Sequence, residues 1–181
     1  MTTLDLGPSH GTLTLHTGVQ GRAAKIGHAL TIEMRAWSAV VTLDGSEPTA
    51  VTLQVVLDSL QVVRGDGALP LTPLDKRKIR SSALTSLSAA AHPFLDFTST
   101  SVSQHPDGYE VRGEVALAGS TGPLGVAVHV ARSAGLVTCN ATFPFVQTTF
   151  GITPYSAMLG SLKVSDQVDV TLSVAFPDPA G

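Results

Sequence analysis

Histidine side chains are the first candidates for chemistry in this chain, and their spacing does not favour a metal site. The chain has six histidines, and none stands in an H-x-H, H-x-x-x-H or H-E-x-x-H arrangement, the spacings that bring two imidazoles to one zinc ion. His28 precedes a predicted strand and is the histidine best placed to contact a polar group of a ligand, although we rank a structural role ahead of that one. The sequence therefore predicts no metal site. The histidines are His10, His16, His28, His92, His105 and His129.

Nucleophilic and acidic side chains are also poorly placed for catalysis. Cys139 is the only cysteine, so no intrachain disulfide can form, and its strand-like surroundings contain no neighbouring base that would activate a thiol. The chain lacks a G-x-S-x-G elbow, a Walker loop and a G-x-G-x-x-G turn between a strand and a helix. Acidic residues such as Asp58, Asp66 and Asp96 are dispersed. We therefore expect a protein that is not an enzyme and has no cofactor.

Composition narrows the class of protein further. Of the 181 residues, 43% are hydrophobic, which excludes a disordered chain. Only 14% are charged and the net charge is -3, which gives no electrostatic reason to bind nucleic acid. The N-terminus lacks the features of a secretory signal, and no apolar run approaches the roughly 20 residues of a membrane span. We expect a single domain over residues 1–181 that is cytoplasmic and has no stable membrane insertion.

Alternation of apolar and polar residues predicts β-strands along most of the chain. Each run has one apolar face and one polar or small face, which is typical of an antiparallel sheet with one solvated side. Turn signals between the runs indicate a meander, and a meander of about eight strands removes its exposed edges by closing into a barrel. The clearest runs lie at 13–15, 30–36, 51–57, 111–117, 126–130 and 168–176.

One segment has a helical pattern instead. Thr72 is a predicted N-cap, Pro73 occupies the first helical position, and Asp75 faces the free amides. Apolar residues then recur at helical spacing up to Leu87, and the helix must end before His92-Pro93. The predicted amphipathic helix, within 71–87, would lie across one end of the barrel.

Bulky apolar residues, concentrated towards the C-terminal half, are the candidates for a ligand site. A small eight-stranded barrel has an interior wide enough either to pack with side chains or to hold one ligand. Apolar walls with few polar groups would favour a long hydrophobic guest. We predict ligand contacts from Ile32, Met34, Trp37, Phe94, Phe97, Phe143, Phe145, Phe150, Ile152, Tyr155, Met158 and Leu159, with His28 as a polar contact.

Four stretches of the chain resemble the YceI-like family. HPFLDFTST at 92–100 is similar to its P-x-(I/L)-x-F-x-S strand, and GYEVRGEVALAG at 108–119 to its Y-x-V-x-G-x-L-T-I-x-G hairpin. FGI at 150–152 with VSDQVDV at 164–170 is similar to the closing F-G-I and V-G-D-x-V-x-I pattern. The resemblance implies a lipocalin-like antiparallel barrel associated with polyisoprenoid or fatty-acyl ligands. It supplies no catalytic residue.

Three functions stay open at this point. The first is a carrier or sequestration protein for an isoprenoid or long-chain lipid. The second is an enzyme with a polar centre inside the barrel, which would need ionisable side chains converging in the cavity. The third is a packed barrel that acts as a protein-interaction module and has no room for a chain of about ten carbons. Sheet surfaces rich in Ala, Val and Thr could also support a homodimer.

Overall fold

A computed structural model of the protein describes residues 1–179, and its strands account for most of them. Apolar residues at alternate positions form these strands because one face of each can then be buried. The strands are β1 Thr2–Leu6, β2 Gly11–Gln20, β3 Ala29–Met34, β4 Trp37–Asp44, β5 Glu47–Val56, β6 Leu60–Asp66, β7 Phe94–His105, β8 Gly108–Leu117, β9 Ser120–Ser133, β10 Leu136–Val146, β11 Ser156–Ala157 and β12 Leu162–Pro177.

The strands form one curled antiparallel sheet of 12 strands. The hydrogen-bonded order is β1-β4-β5-β7-β8-β9-β10-β12-β2-β3-β6, and β11 pairs with β12 outside this path. The two strands at the ends of this order, β1 and β6, are each connected along the chain to a strand in the interior of the order. β1 leads into β2, and β6 continues β5. The sheet thus curls around a shared interior, which confirms the all-β, antiparallel, lipocalin-like prediction.

The predicted count of about eight strands is too low. Three passes of the chain are each divided in two by an interruption: β1 from β2, β3 from β4, and β5 from β6. Arg35 N donates to Ser59 O at 3.3 Å and Val56 N donates to Ala36 O at 2.9 Å, so neighbouring passes stay connected across their interruptions. Hydrophobic alternation does not reveal such interruptions, because apolar residues continue on both sides of them.

These interruptions also change which residues face inward. Ile32 and Met34 are buried at even positions of β3, whereas Trp37 and Ala39 are buried at odd positions of β4. A register shift between Ser99 and Ser101 has the same effect within β7. Extra residues of this kind bend a strand and redirect its side chains, and they occur where a sheet must curl into a barrel.

The predicted helix is present as α1, Pro73–Ser86, with Thr72 as its N-cap. Thr72 Oγ1 accepts from Asp75 N at 3.2 Å, and Asp75 Oδ2 accepts from Thr72 N at 2.9 Å. These hydrogen bonds with Thr72 hold the pKa of the Asp75 carboxyl below its usual value. The apolar face of α1 packs against the barrel core, as the spacing predicted, through Ile79, Ala83 and Leu84, and the C-cap residue Leu87 joins them.

Candidate functional site

The interior of the barrel contains a cavity of about 580 Å³. Its wall comes from almost every strand, because each strand turns alternate side chains inward. In β10, for example, the inward residues are Val137, Cys139, Ala141, Phe143 and Phe145. The wall is therefore aliphatic and aromatic over most of its area, and it can take up an apolar molecule by burying that molecule's surface.

Glycine makes room for a large side chain at one point of this wall. Gly113 occupies an inward position of β8, and a Cβ there would lie 2.8 Å from the Phe97 ring and 2.2 Å from the backbone oxygen of Thr98. The missing side chain lets the ring of Phe97 approach the backbone of β8. The glycine of the G-E-V stretch at 113–115 is thus explained by packing at the cavity.

The two ends of the barrel differ. At the helix end, α1 and the segments 21–28, 67–71 and 147–161 lie between the strand ends, and Lys78, Ile79 and Lys163 reach the cavity. At the hairpin end, tight turns join β4 to β5, β7 to β8 and β9 to β10, and the cavity-lining polar groups there include Tyr109 and Arg132. The apolar wall thus runs between two rims that carry polar groups.

His28 lies at the helix end and contributes to the cavity wall. Its Nε2 lies 2.7 Å from the backbone oxygen of Leu69, so the imidazole connects the segment before β3 with the segment before α1. A Cβ on Gly67 would lie 2.6 Å from the same ring. The side chain therefore has a structural contact and also faces the cavity.

Near the hairpin end, two ionisable side chains have raised pKa values and a third is ion-paired. Burial raises the pKa of the Cys139 thiol, which opposes formation of the nucleophilic thiolate. Burial and a hydrogen bond to Glu47 raise the pKa of Tyr109, whose hydroxyl donates to Glu47 Oε2 at 2.9 Å. Arg132 is paired with Asp178 through an Nη1–Oδ1 distance of 2.9 Å.

The structure brings eight of the 13 predicted ligand-contact residues to the cavity wall. They come from different parts of the chain, and the curled sheet places them around one space. Whether they touch a ligand stays a prediction. The eight residues are His28, Ile32, Met34, Phe97, Phe143, Phe145, Ile152 and Tyr155.

The other five predicted residues lie away from the cavity wall. Trp37 is buried in the core beside the interruption between β3 and β4, and Phe150 stacks on the outer side of Phe145 with ring centroids 4.5 Å apart. Phe94 begins β7 on its outward face and is 42% exposed. Met158 and Leu159 project from the segment 147–161 into solvent. Side-chain size alone could not separate these positions from inward ones.

Sequence reasoning missed much of the aliphatic wall. Leu13, Leu53, Val115 and Val170 all line the cavity and lie in runs whose alternation was recognised. These residues could have been predicted by taking every residue on the apolar face of each run as a lining residue, whatever the size of its side chain. No sequence pattern indicated the cationic residues that line the cavity near its two ends, which are Lys78, Lys163 and Arg132.

Within residues 1–179, no group of three or more His, Cys, Asp or Glu side chains could hold a metal ion. No helix in this part of the chain has the length and apolar character that crossing a membrane requires.

Comparisons with known proteins agree with the architecture. A family model described as a YceI-like domain matches residues 5–176. The crystal structure of BcnA from Burkholderia cenocepacia is similar with a TM-score of 0.67 and 14% identity, over 91% of this chain and 96% of that chain. The Campylobacter jejuni YCEI protein is similar with a TM-score of 0.62 and 11% identity, over 81% and 83% of the two chains. The comparison with curated proteins gave no match.

Proposed function

Since the chain belongs to the YceI-like domain family, we propose that its barrel binds and carries an apolar molecule of the isoprenoid or long-chain lipid class. The observation that carries this proposal is the cavity of about 580 Å³ with an almost continuous apolar wall. Small-molecule sites in proteins have volumes of roughly 300–1,000 Å³ and bury most of the ligand surface.

The energetics of burial favour a chain-like guest. Transfer of a methylene group out of water contributes about 0.8 kcal/mol, so a ten-carbon chain gains about 8 kcal/mol before the costs of association. The polar groups near the helix end, among them Lys78 and Lys163, offer contacts for a polar or anionic head group. We therefore propose that the hydrocarbon lies along the barrel and the head group lies at this end.

Two features support a carrier over the alternative functions. A cavity of about 580 Å³ is large for a barrel that acts only through its outer surface. Burial raises the pKa of the Cys139 thiol, which disfavours a nucleophilic thiolate at this position of the cavity wall. We propose that the protein is not an enzyme. A cytoplasmic location and a homodimer stay predictions.

Native mass spectrometry of the protein, before and after organic extraction, tests the proposal. We expect a co-purifying lipid in protein from its own host, and uptake of added isoprenoid or long-chain fatty acid by the extracted protein. Protein that carries no lipid and takes up none would contradict the proposal.

A matched pair of variants assigns any binding to the cavity. Ala141 is buried in the wall, whereas Thr142 is exposed on the next position of β10. Ala141→Phe adds a ring to the cavity and should weaken uptake by about tenfold or more, since it displaces apolar contact worth more than about 1.4 kcal/mol. Thr142→Phe should bind as the unmodified protein does. Circular dichroism and thermal unfolding establish that both variants are folded.

A further inference from the structure

Exposed apolar side chains are concentrated at the helix end of the barrel. Segment 21–28 is tied to segment 147–161 by a hydrogen bond from Ala23 N to Ser161 O at 2.8 Å. His28 joins the first segment to segment 67–71 through Leu69 O. The three segments form one surface, which we call the apolar rim. Its exposed apolar residues are Ile26, Leu69, Tyr155, Met158 and Leu159.

The outermost part of the apolar rim has an unusual backbone. Met158 and Leu159 have φ values of 53° and 54°, in the left-handed region that residues other than glycine and asparagine rarely occupy. Such conformations are strained for residues that have a Cβ atom. Here that conformation leaves Met158 57% exposed and Leu159 fully exposed. The left-handed backbone conformation does not favour Met or Leu at these positions. Burial within the isolated barrel does not favour them either, because both side chains are exposed.

Positive charge surrounds the same surface. The chain has 11 Lys and Arg residues, and eight of them lie at the helix end, on α1 or on the strands and segments next to it. Asp58, Asp66, Asp75 and Asp166 lie in the same region, and Asp58 and Asp66 are paired with Arg80 and Arg64. The cations outnumber these acidic residues, so an excess of positive charge remains. Arg22, Lys25 and Lys163 form no ion pair with another residue in the part of the chain that the structure describes. The eight are Arg22, Lys25, Arg64, Lys76, Arg77, Lys78, Arg80 and Lys163.

Negative charge gathers at the opposite end. Turns and strand ends there carry Asp5, Asp44, Glu47, Asp107, Glu110 and Asp178, against Arg112 and Arg132 as the neighbouring cations. A protein whose net charge is -3 is thus polarised along the barrel axis. An anionic surface would attract the helix end and repel the hairpin end, so approach would be oriented.

We propose that the apolar rim docks on the surface of an anionic phospholipid bilayer. Met158 and Leu159 insert among the acyl chains, and the flanking Lys and Arg side chains lie against the lipid phosphates. This combination of exposed apolar residues and cations is what holds proteins in the interfacial region of a membrane. The positive rim complements the surface charge of such a bilayer, which favours it as the occupant over an uncharged apolar partner.

Docking in this orientation would connect the bilayer with the cavity. Ile26, Tyr155 and Lys163 belong to the helix end and also line the cavity wall. An apolar molecule could then pass between membrane and barrel without crossing water. This step rests on the proposed carrier function, whereas docking itself depends only on the rim.

Flotation with lipid vesicles tests the docking. The full chain is mixed with vesicles of phosphatidylcholine alone, or of phosphatidylcholine with a minority of phosphatidylglycerol. We expect binding to the anionic vesicles that weakens as salt is raised, because the electrostatic attraction is screened. Equal binding to both kinds of vesicle, or none to either, would overturn the proposal.

Asparagine substitutions separate docking from folding. Met158→Asn and Leu159→Asn replace apolar side chains with a residue that tolerates the left-handed conformation, so the segment should keep its shape. Each substitution should weaken vesicle binding by about tenfold, the effect of losing one inserted apolar side chain. Leu136→Asn is the control, because Leu136 is 48% exposed at the hairpin end. Unchanged binding by the rim variants, or an equal loss in the control, would overturn the assignment.

Charge substitutions provide a second test of orientation. Arg22→Gln and Lys25→Gln should each weaken binding to anionic vesicles by about fivefold, corresponding to roughly 1 kcal/mol for a cation at the surface. Arg112→Gln is the control, since Arg112 lies on β8 and is paired with Glu110. If the control has the same effect as the rim variants, nonspecific attraction explains the binding and the proposed orientation is wrong.

The outcomes for docking and for the carrier function are distinguishable. A barrel that takes up lipid but does not float with anionic vesicles would overturn only the docking. A barrel that floats but carries no lipid would overturn only the carrier function. A stable protein partner bound through Met158 and Leu159, in the absence of vesicle binding, would also overturn the docking.

Discussion

At the scale of the residue, the cavity wall depends on small differences in shape more than on polar chemistry. Gly113 makes room for the ring of Phe97, and Phe150 supports Phe145 from behind by stacking. Trp37 is the exception to a purely apolar core, because its indole nitrogen is buried without a hydrogen-bond partner among the described residues. An unpaired buried N–H costs about 1–3 kcal/mol.

We predict that Trp37→Phe changes the free energy of unfolding by less than about 1 kcal/mol, since losing ring surface is offset by removing the unpaired N–H. Trp37→Ala leaves a cavity in the core and should cost about 3–5 kcal/mol. Urea unfolding measures both. A loss for Trp37→Phe well above 1 kcal/mol would contradict an unpaired indole nitrogen.

At the scale of the element, Arg80 adds hydrogen bonds to the apolar packing that holds α1 against the barrel. Its Nε donates to Leu60 O at 2.9 Å, and its Nη2 donates to Asp58 Oδ1 at 2.8 Å and also to Asp58 O. These contacts join the helix to the turn between β5 and β6. Because Ile79 and Ala83 of the same helix line the cavity, we predict that the position of α1 controls access to the interior.

Arg80→Met should therefore increase the rates of ligand entry and release by about tenfold, the effect of losing charged hydrogen bonds worth about 1.5 kcal/mol. Methionine keeps the aliphatic packing of the arginine stem. Stopped-flow displacement of a fluorescent fatty acid measures the release rate. Arg77→Met on the exposed side of α1 should leave the rate unchanged. An identical release rate in both variants would show that α1 does not gate the cavity.

At the scale of the whole molecule, the pairing of β2 with β12 brings the N-terminal part of the chain against its C-terminal part. The two backbones approach closely at Gly11, where a Cβ would lie 1.9 Å from Ser173 O and 2.8 Å from Val174 Cα. Only glycine fits this position without a shift of one strand. The sheet curls far enough to enclose its interior because these strands can meet.

Gly11→Ala should destabilise the protein by about 1–3 kcal/mol, the cost typical of overpacking, since β2 and β12 must move apart. Gly125→Ala is the matched control. A Cβ at Gly125 meets its nearest atom, Arg112 Cγ, only at 3.8 Å, and alanine lowers the entropy of the unfolded chain. Thermal unfolding should show a lower Tm for Gly11→Ala and an unchanged or raised Tm for Gly125→Ala. Similar values for the two variants would contradict the close approach.

Much of this architecture could be predicted from local patterns. Alternation identified strands such as β8 and β12, because burying one face of a strand requires apolar residues at every second position. Thr72, Pro73 and Asp75 identified the start of α1, because an N-cap satisfies backbone groups within a few residues of itself. Both signals are local, so the sequence by itself determined them.

Tertiary structure alone decided which large side chains face the cavity. The inward orientation of a side chain depends on the interruption between Met34 and Trp37 and on the register shift in β7. Both irregularities occur because the whole sheet must curve. The collection of Ile26, Leu69 and Leu159 on one rim likewise needs three distant segments to meet. Such arrangements are set by the closure of the barrel, which joins residues far apart in the chain and leaves no periodic trace in the sequence.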